Sequence, residues 1–353
     1  MLLVFALAAA LWLGARAAGL PQQARTLMLG LLFVLVLLLQ VALPDGHPYR
    51  EATGGEPALW LLLAGLAGLV LAYRALLRRV RARAEAGRAS EPARPDRFSE
   101  VELERYARHI ALREIGGPGQ GRLRDARVLV IGAGGLGSPA LLYLGAAGVG
   151  TLGVIDSDRV ENANLQRQVI HADAAIGMPK VFSAQERLRQ LNPFVAVRPY
   201  NRRLTADIAA ELFGDYDVIL DGSDNFETRY LVNAAAVASG LPLVSGALSQ
   251  WEGQLSVFDP ARGAPCYRCI FPEPPAPGLA PSCAEAGVLG PLPGVIGAMM
   301  AVEAVKIVTG AGTPLRSRMV IHDALEGESR RIALAPRPGC PVCGGGGHDA
   351  GLC

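Results

Sequence analysis

Five short stretches of this chain hold residue types that together could carry out chemistry on a phosphate. The first is the glycine loop Gly132-Ala-Gly134-Gly135-Leu-Gly137, and Asp156-Ser-Asp158 follows it. Asn164-Leu-Gln166-Arg167-Gln168, Pro179-Lys180 and Asp221-Gly-Ser-Asp224-Asn225 complete the set. Glycines at this spacing, after a strand and opening a helix, let backbone N–H groups approach phosphate oxygens with the helix dipole behind them. Asp156 lies 19 residues beyond Gly137, where an acid accepts from ribose hydroxyls. Alone, this fingerprint favours an NAD or FAD enzyme, and a tight packing turn with no ligand is the plainer alternative. Asn164, Gln166, Arg167 and Lys180 make the site more cationic than hydride transfer requires. Displacing pyrophosphate from ATP does need fixed cations and a metal, and a carboxylate of Asp221-Gly-Ser-Asp224-Asn225, at the end of a strand, can hold a hydrated magnesium ion. Taken singly, Arg167 and Lys180 read equally well as solvated surface charges; on one edge of one sheet they read as a site.

Cysteine supplies a second constellation. Cys266-x-x-Cys269 and Cys340-x-x-Cys343 offer four thiolates for a closed, tetrahedral structural zinc. The gap of 70 residues between the pairs would make the metal a staple for the C-terminus. Redox chemistry is the competing reading, and it is disfavoured by the expectation that neither pair opens a helix. Cys283 stands between proline-rich and glycine-rich segments, where a loop thiol is accessible: it is either a nucleophile or an inert loop residue. Cys353 is terminal, and the Gly344–Gly347 tract reads as a flexible end. The five histidines, His47, His109, His171, His322 and His348, form no cluster.

The elements that must position these residues alternate in type. Strands are expected at Val128–Ile131, Leu152–Ile155, Val195–Pro199, Val218–Leu220 and Leu243–Ser245. Helices are expected at Leu136–Ala147, Pro179–Leu191, Ala206–Phe213 and Glu227–Ser239. That rhythm predicts an α/β fold, a doubly wound Rossmann-like sheet. Its C-terminal part changes character, with antiparallel strands at Gly253–Phe258 and Ser317–His322 around a helix at Val295–Val308. Ser99-Glu-Val-Glu102 is a capping box for a helix expected to run to Ile115, where Gly116-Gly117-Pro118 would stop it.

The apolar residues that raise the hydrophobic content to 51% are concentrated near the N-terminus. Leu27–Leu43 is a run of 17 residues and Ala58–Tyr73 a run of 16, each at the lower limit for crossing a hydrocarbon core. Leu2–Ala15 is marginal, so residues 1–83 read as a transmembrane anchor of two or three spans. Residues 84–98 read as a linker, 99–345 as the catalytic domain and 346–353 as a tail. Five arginines fall between Arg74 and Arg83, against Arg50 alone in the connection 44–57. The positive-inside rule then predicts a multi-pass integral membrane protein with its catalytic domain in the cytoplasm. Residues 1–98 hold 11 arginines against 6 acids, so the basic excess is a membrane flank and no nucleic acid partner is expected.

Arg105-Tyr-Ala-Arg108, the glycine loop and the four motifs after it occur in an order that resembles the MoeB/ThiF/HesA family of ubiquitin-activating-type adenylyltransferases. The likeness covers roughly residues 99–345. It implies that Asp156 binds ribose, that Asn164, Arg167 and Lys180 act on the phosphates of ATP, and that Asp224 acts on Mg2+. It also implies that Arg108 reaches into the ATP site of a second subunit, hence a homodimer, and that the four cysteines bind Zn2+. Cys283 matches the cysteine that takes the activated carrier in some members and is dispensable in others. The implied reaction is adenylation of the C-terminal Gly-Gly carboxylate of a ubiquitin-like sulfur-carrier protein, for molybdopterin, thiamine or related sulfur transfer. Such a carboxylate, with a pKa of about 3.5, is already ionised and needs no general base. The alternatives are a relative that activates a small-molecule or tRNA carboxylate, a membrane-tethered dinucleotide oxidoreductase, and a non-catalytic scaffold. Usual members of this family lack the N-terminal hundred residues.

Overall fold

The computed structural model describes residues 2–18, 22–89, 98–275 and 287–344. The chain divides into two compact units, Met1–Asp96 and Arg97–Cys353.

The first unit is helical: α1 (Leu2–Ala17), α2 (Gln22–Ala42), the short α3 (Pro48–Thr53) and α4 (Pro57–Ala89). Within α2 and α4, Ala24–Ala42 (19 residues) and Pro57–Leu77 (21 residues) are long and apolar enough to cross a membrane. At 1.5 Å per residue they extend about 28 and 31 Å, the thickness of a hydrocarbon core. Leu31, Leu35, Leu38, Leu62 and Leu69 are exposed on them. Gln40, the one polar side chain in its run, is buried and donates to the Arg50 carbonyl (2.8 Å) and Thr53 Oγ1 (2.7 Å), tying α3 to the bundle. The helix α4 continues past Arg83 to Ala89, so the segment expected to be linker from residue 84 begins as helix. Its Ala-Glu-Ala-Gly-Arg-Ala composition is mostly strong helix former, which outweighs the single glycine. Residues 90–97 of that segment lie outside the described residues.

The second unit opens with α5 (Glu100–Ile110). Ser99 accepts from the Glu102 N–H, and the Glu102 carboxylate accepts from the Ser99 N–H, the reciprocal capping box. The helix ends earlier than expected, and Gly116-Gly117-Pro118 begins a new helix, α6 (Gly116–Asp125). Proline sits in the first turn of α6, where no N–H is needed, so it starts a helix there as readily as it stops one.

Eight strands form one sheet in the order β3-β2-β1-β4-β5-β6-β7-β8. They are β1 (Arg127–Ile131), β2 (Thr151–Ile155), β3 (Ala196–Tyr200), β4 (Val218–Asp221), β5 (Leu243–Leu248), β6 (Glu252–Phe258), β7 (Arg318–Asp323) and β8 (Glu328–Ala333). β3, β2, β1, β4 and β5 are parallel, and β6, β7 and β8 continue antiparallel. β8 is exposed along its whole length, so it carries none of the hydrophobic alternation by which a strand is recognised in sequence.

Helices cover both faces: α7 (Gly137–Ala146), α8 (Lys180–Leu191), α9 (Ala206–Leu212), α10 (Phe226–Ala238), a single turn α11 (Tyr267–Ile270) and α12 (Leu292–Thr309). One core joins α7, α8 and α12 to the sheet through Val128, Val130, Leu141, Leu144, Leu188 and Ile296. The other joins α9 and α10 through Leu129, Ile219, Phe213 and Val232. Strand side chains alternate between these two cores, which is why the strand runs are apolar on both faces. Although α12 is also long and apolar enough to span a bilayer, 50% of it is buried within this unit, which makes it a core helix. The chain leaves β1 toward β2 on one side and β4 lies on the other, so a crevice opens at the carboxyl ends of β1 and β4.

Candidate adenylation site

That crevice is a cleft of about 1220 Å³, ample for a nucleotide together with an extended peptide. The loop after β1 forms its floor. Gly132 has φ +91°, and a Cβ there would come within 3.2 Å of the Gly222 carbonyl oxygen, so glycine is required. A Cβ on Gly137 would run into the Gly132 carbonyl oxygen, which makes Gly137 a packing residue beneath the loop. Gly134 and Gly135 face the cleft, and Pro293 of α12 packs against Gly135.

Asp156 directly follows β2 with both carboxylate oxygens engaged: Oδ2 accepts from the Ala133 N–H (2.8 Å) and Oδ1 from the Asp158 N–H (2.8 Å). Lys180 is buried at the first turn of α8 and its Nζ donates to Asp158 Oδ2 at 2.8 Å. The Lys180 N–H bonds the Asp158 carbonyl, so the cation is held at backbone and at tip. Arg167 donates to Asn164 Oδ1 (3.1 Å) and the Ala163 carbonyl (3.3 Å), which turns it toward the cleft it lines. Gln168 is buried on the same wall, and its Oε1 has no hydrogen-bond partner among the described residues. Asp224 and Asn225 follow β4 at the opposite lip. Asn225 Oδ1 caps α10 through the Thr228 N–H at 2.9 Å, which leaves the Asp224 carboxylate exposed to the cleft.

Not every expected residue converges. Asn164 reaches the site only through Arg167, and Gln166 is exposed outside the lining. Arg108 lies exposed on α5 and does not line the cleft of its own chain. Cys283, the tail 346–353 and Cys353 lie outside the described residues.

Three groups escaped the sequence reading. Arg229 of α10 is buried, 3.5 Å from Asp221 Oδ2, and it donates to the Ser223 carbonyl and Ser245 Oγ. Asp221 also accepts from the Ser223 N–H (3.0 Å) and Ser223 Oγ (2.6 Å), so this network shapes the loop that presents Asp224. His171 is buried between the Ala133 carbonyl and Ser183 Oγ, 2.9 Å from each. Burial holds its imidazole below the ordinary 6.5, and the nearby Lys180 charge acts in the same direction. Tyr267 lines the cleft with its hydroxyl pushed up to about 12 by burial. Its position between Cys266 and Cys269 was the available signal, as was the position of His171 between Gln168 and Lys180.

The four cysteines of the two pairs come together despite their separation. Cys266 Sγ lies 3.8 Å from Cys269 Sγ and 3.7 Å from Cys340 Sγ, and Cys269 Sγ lies 3.4 Å from Cys343 Sγ. Four sulfurs about 2.3 Å from a tetrahedral zinc would sit about 3.8 Å apart, so this cluster fits zinc with no position left for water. Burial pushes the Cys266 thiol well above its ordinary range, so a thiolate there calls for a bound cation. The expectation that neither pair opens a helix is corrected: Cys266 caps the single turn α11. Reversal of the chain within the Cys-x-x-Cys segment, needed to aim both sulfurs at one point, closes that turn through the Cys269 N–H and the Cys266 carbonyl (3.0 Å).

A model of the ThiF family matches residues 106–342. The sulfur carrier protein adenylyltransferase of Thermus thermophilus is 52% identical over 252 residues, covering 70% of this chain and 93% of that protein. The SAMP-activating enzyme E1 of Haloferax volcanii is 48% identical over 250 residues, covering 71% and 92%. The structure of E. coli MccB with ATP has a TM-score of 0.61 at 21% identity, over 70% of this chain and 75% of that one, a likeness of fold alone. By the family match, the identity to these enzymes and a cleft that gathers the glycine loop, Asp156, Arg167, Lys180 and Asp224, the chain belongs to the ThiF family and is an adenylyltransferase.

Proposed function

We propose that this enzyme adenylates the C-terminal carboxylate of a ubiquitin-like sulfur-carrier protein with ATP, from a position tethered to a membrane. The observation that carries the reading is the meeting of fixed cations, Arg167 and Lys180, with the glycine loop and Asp156 in one cleft. The names of the relatives, a sulfur carrier protein adenylyltransferase and a SAMP-activating enzyme E1, support a protein substrate over a small molecule. Arg167 and Lys180 beside the glycine loop also speak against hydride transfer and against a scaffold that has lost activity.

In this reading the ribose hydroxyls donate to Asp156, and the N–H groups of the glycine loop meet the phosphates. An oxygen of the ionised carrier carboxylate attacks the α-phosphorus of ATP. The bond from that phosphorus to the bridging oxygen breaks, and pyrophosphate leaves. No proton moves, so the chain's part is positioning and neutralisation by Arg167 and Lys180. Asp224, exposed at the lip, would hold a magnesium ion, which would supply positive charge against the leaving group. Arg108, remote from its own cleft, is assigned to the cleft of a second copy in a homodimer. The Cys266, Cys269, Cys340 and Cys343 cluster holds structural zinc. Cys283, as its thiolate, takes the carrier from the acyl-adenylate, a C–S bond forming to the acyl carbon as its C–O bond to AMP breaks and AMP leaves.

The membrane reading places α2 and α4 across the bilayer, residues 44–57 outside and the catalytic unit in the cytoplasm. Its support is the length of the two apolar helices and the arginine excess after Arg74. The test of function is ATP–pyrophosphate exchange by the full-length protein in detergent with candidate carriers ending in Gly-Gly. Exchange that depends on the carrier and on its terminal glycine supports the reading. Exchange without any carrier, or with a small carboxylate alone, refutes it.

A further inference from the structure

We propose that His171 is a positioning residue that aims the backbone N–H of Gly134 at the phosphates of the nucleotide. The proposal rests on the ATP-binding reading above. His171 is 8% exposed, and its two ring nitrogens lie 2.9 Å from the Ala133 carbonyl oxygen (Nε2) and 2.9 Å from Ser183 Oγ (Nδ1). A carbonyl oxygen only accepts, so the proton of the neutral ring sits on Nε2, and Nδ1 accepts from the Ser183 hydroxyl.

On its other side, the Ala133 N–H donates to Asp156 Oδ2 at 2.8 Å. Ala133 is thus held at both of its backbone polar groups, by an acid at the end of β2 and by a histidine braced on α8. The consequence follows from peptide geometry. The bond between Ala133 and Gly134 is trans and planar, so the Ala133 C=O and the Gly134 N–H point in opposite directions. With the carbonyl tied inward to a buried ring, the Gly134 N–H faces the cleft that Gly134 lines. A flipped peptide would present a carbonyl oxygen to the phosphates, replacing attraction with repulsion.

Ser183 lies one turn along α8 from Lys180, so the same strut keeps the loop in register with the helix that begins at the phosphate-binding cation. The charged groups acting on the imidazole are Lys180 from α8 and Asp156 from β2. Sequence reading passes over this histidine because it clusters with no other; its role is to hold a carbonyl.

Two isosteric substitutions separate aiming from packing. The amide nitrogen of glutamine can occupy the place of Nε2 and bond Ala133, whereas that of asparagine reaches only the place of Nδ1. Full-length His171→Gln and His171→Asn in detergent are compared with the parent by calorimetric titration of ATP and of adenosine, which has no phosphate. His171→Asn is expected to weaken ATP binding about ten- to a hundredfold, the worth of a hydrogen bond to a charged group, and adenosine binding less than about threefold. His171→Gln is expected to stay within about threefold of the parent for both ligands. Equal losses of ATP and adenosine, equal losses in the two variants, or no loss in His171→Asn would each overturn the proposal. A parent protein that binds no ATP at all would overturn the functional reading with it, whereas normal parental binding with indifferent variants would remove only the role of His171.

Discussion

Replacing Arg229 by alanine tests whether the buried Asp221–Arg229 pair holds the lip of the cleft. Both side chains are nearly solvent-free, Asp221 at 1% and Arg229 at 7% exposure, and the guanidinium lies 3.5 Å from Asp221 Oδ2. Removing one member of such a pair leaves an uncompensated charge and costs about 3–5 kcal/mol. Asp221 retains hydrogen bonds from the Ser223 N–H and hydroxyl and from Ser245, so the lower end of that range applies. For a catalytic unit of this size, about 3 kcal/mol lowers the thermal midpoint by roughly 6–12 °C. Fluorescence of Trp251, the one tryptophan in that unit, in a variant with Trp12 and Trp60 replaced by phenylalanine, reads the transition. The loop bearing Asp224 is also released when the Ser223 carbonyl loses its donor, so carrier-dependent pyrophosphate exchange should fall at least about tenfold, the worth of one charge-assisted hydrogen bond. The decisive comparison is the double variant Asp221→Asn, Arg229→Ala, which removes the stranded charge. It should recover a clear part of the lost midpoint without restoring exchange. A single variant within about 1 kcal/mol of the parent, or a double variant less stable than the single, would refute the argument from a buried charge.

Three further outcomes are expected. Gly137→Ala should weaken ATP binding at least about tenfold, because the new methyl meets the Gly132 carbonyl and displaces the loop; unchanged binding in the same titration would mean the loop is softer than its packing indicates. Full-length protein should carry about one zinc per chain by elemental analysis, and Cys340→Ser or strong chelation should lower the thermal midpoint, whereas a metal-free protein of unchanged stability would exclude the structural zinc. Because burial lowers the pKa of His171, the unfolded chain binds the extra proton first, and stability should fall as pH drops below 6.5 and level off beneath the folded value. His171→Gln should flatten that part of the profile, and a parent profile flat between pH 7 and 5 would count against a buried neutral imidazole.

Legibility followed the range of the interactions. Strands β1, β2 and β4 were visible because each is a short apolar run next to a turn signal, and β6 because Leu255 and Val257 alternate with polar residues. β8 was not, because its side chains are exposed along its whole length and only its ladder to β7 makes it a strand. The boundary at Gly116-Gly117-Pro118 was read as a stop and proved to be a start, since proline permits either and the neighbouring packing decides. The segment after Arg83 was read as linker from its charge and its later prolines, while its first residues simply prolong α4.

The site divides in the same way. The glycine loop, Asp156, Arg167, Lys180 and Asp224 were readable because each motif is local: a turn that only glycine can make, an acid at the end of a strand, a cation at the start of a helix. The apolar runs and the arginines after them were likewise determined by composition and order alone. The two cysteine pairs announced a shared site by type and spacing, whereas only the tertiary structure could seat His171 under Ala133 and set Arg229 against Asp221. Those contacts join residues whose order along the chain carries no sign of their meeting, and whose pairing is enforced by burial. A buried carbonyl must find a donor and a buried carboxylate must find a cation, and which groups satisfy them is decided when the sheet closes over them.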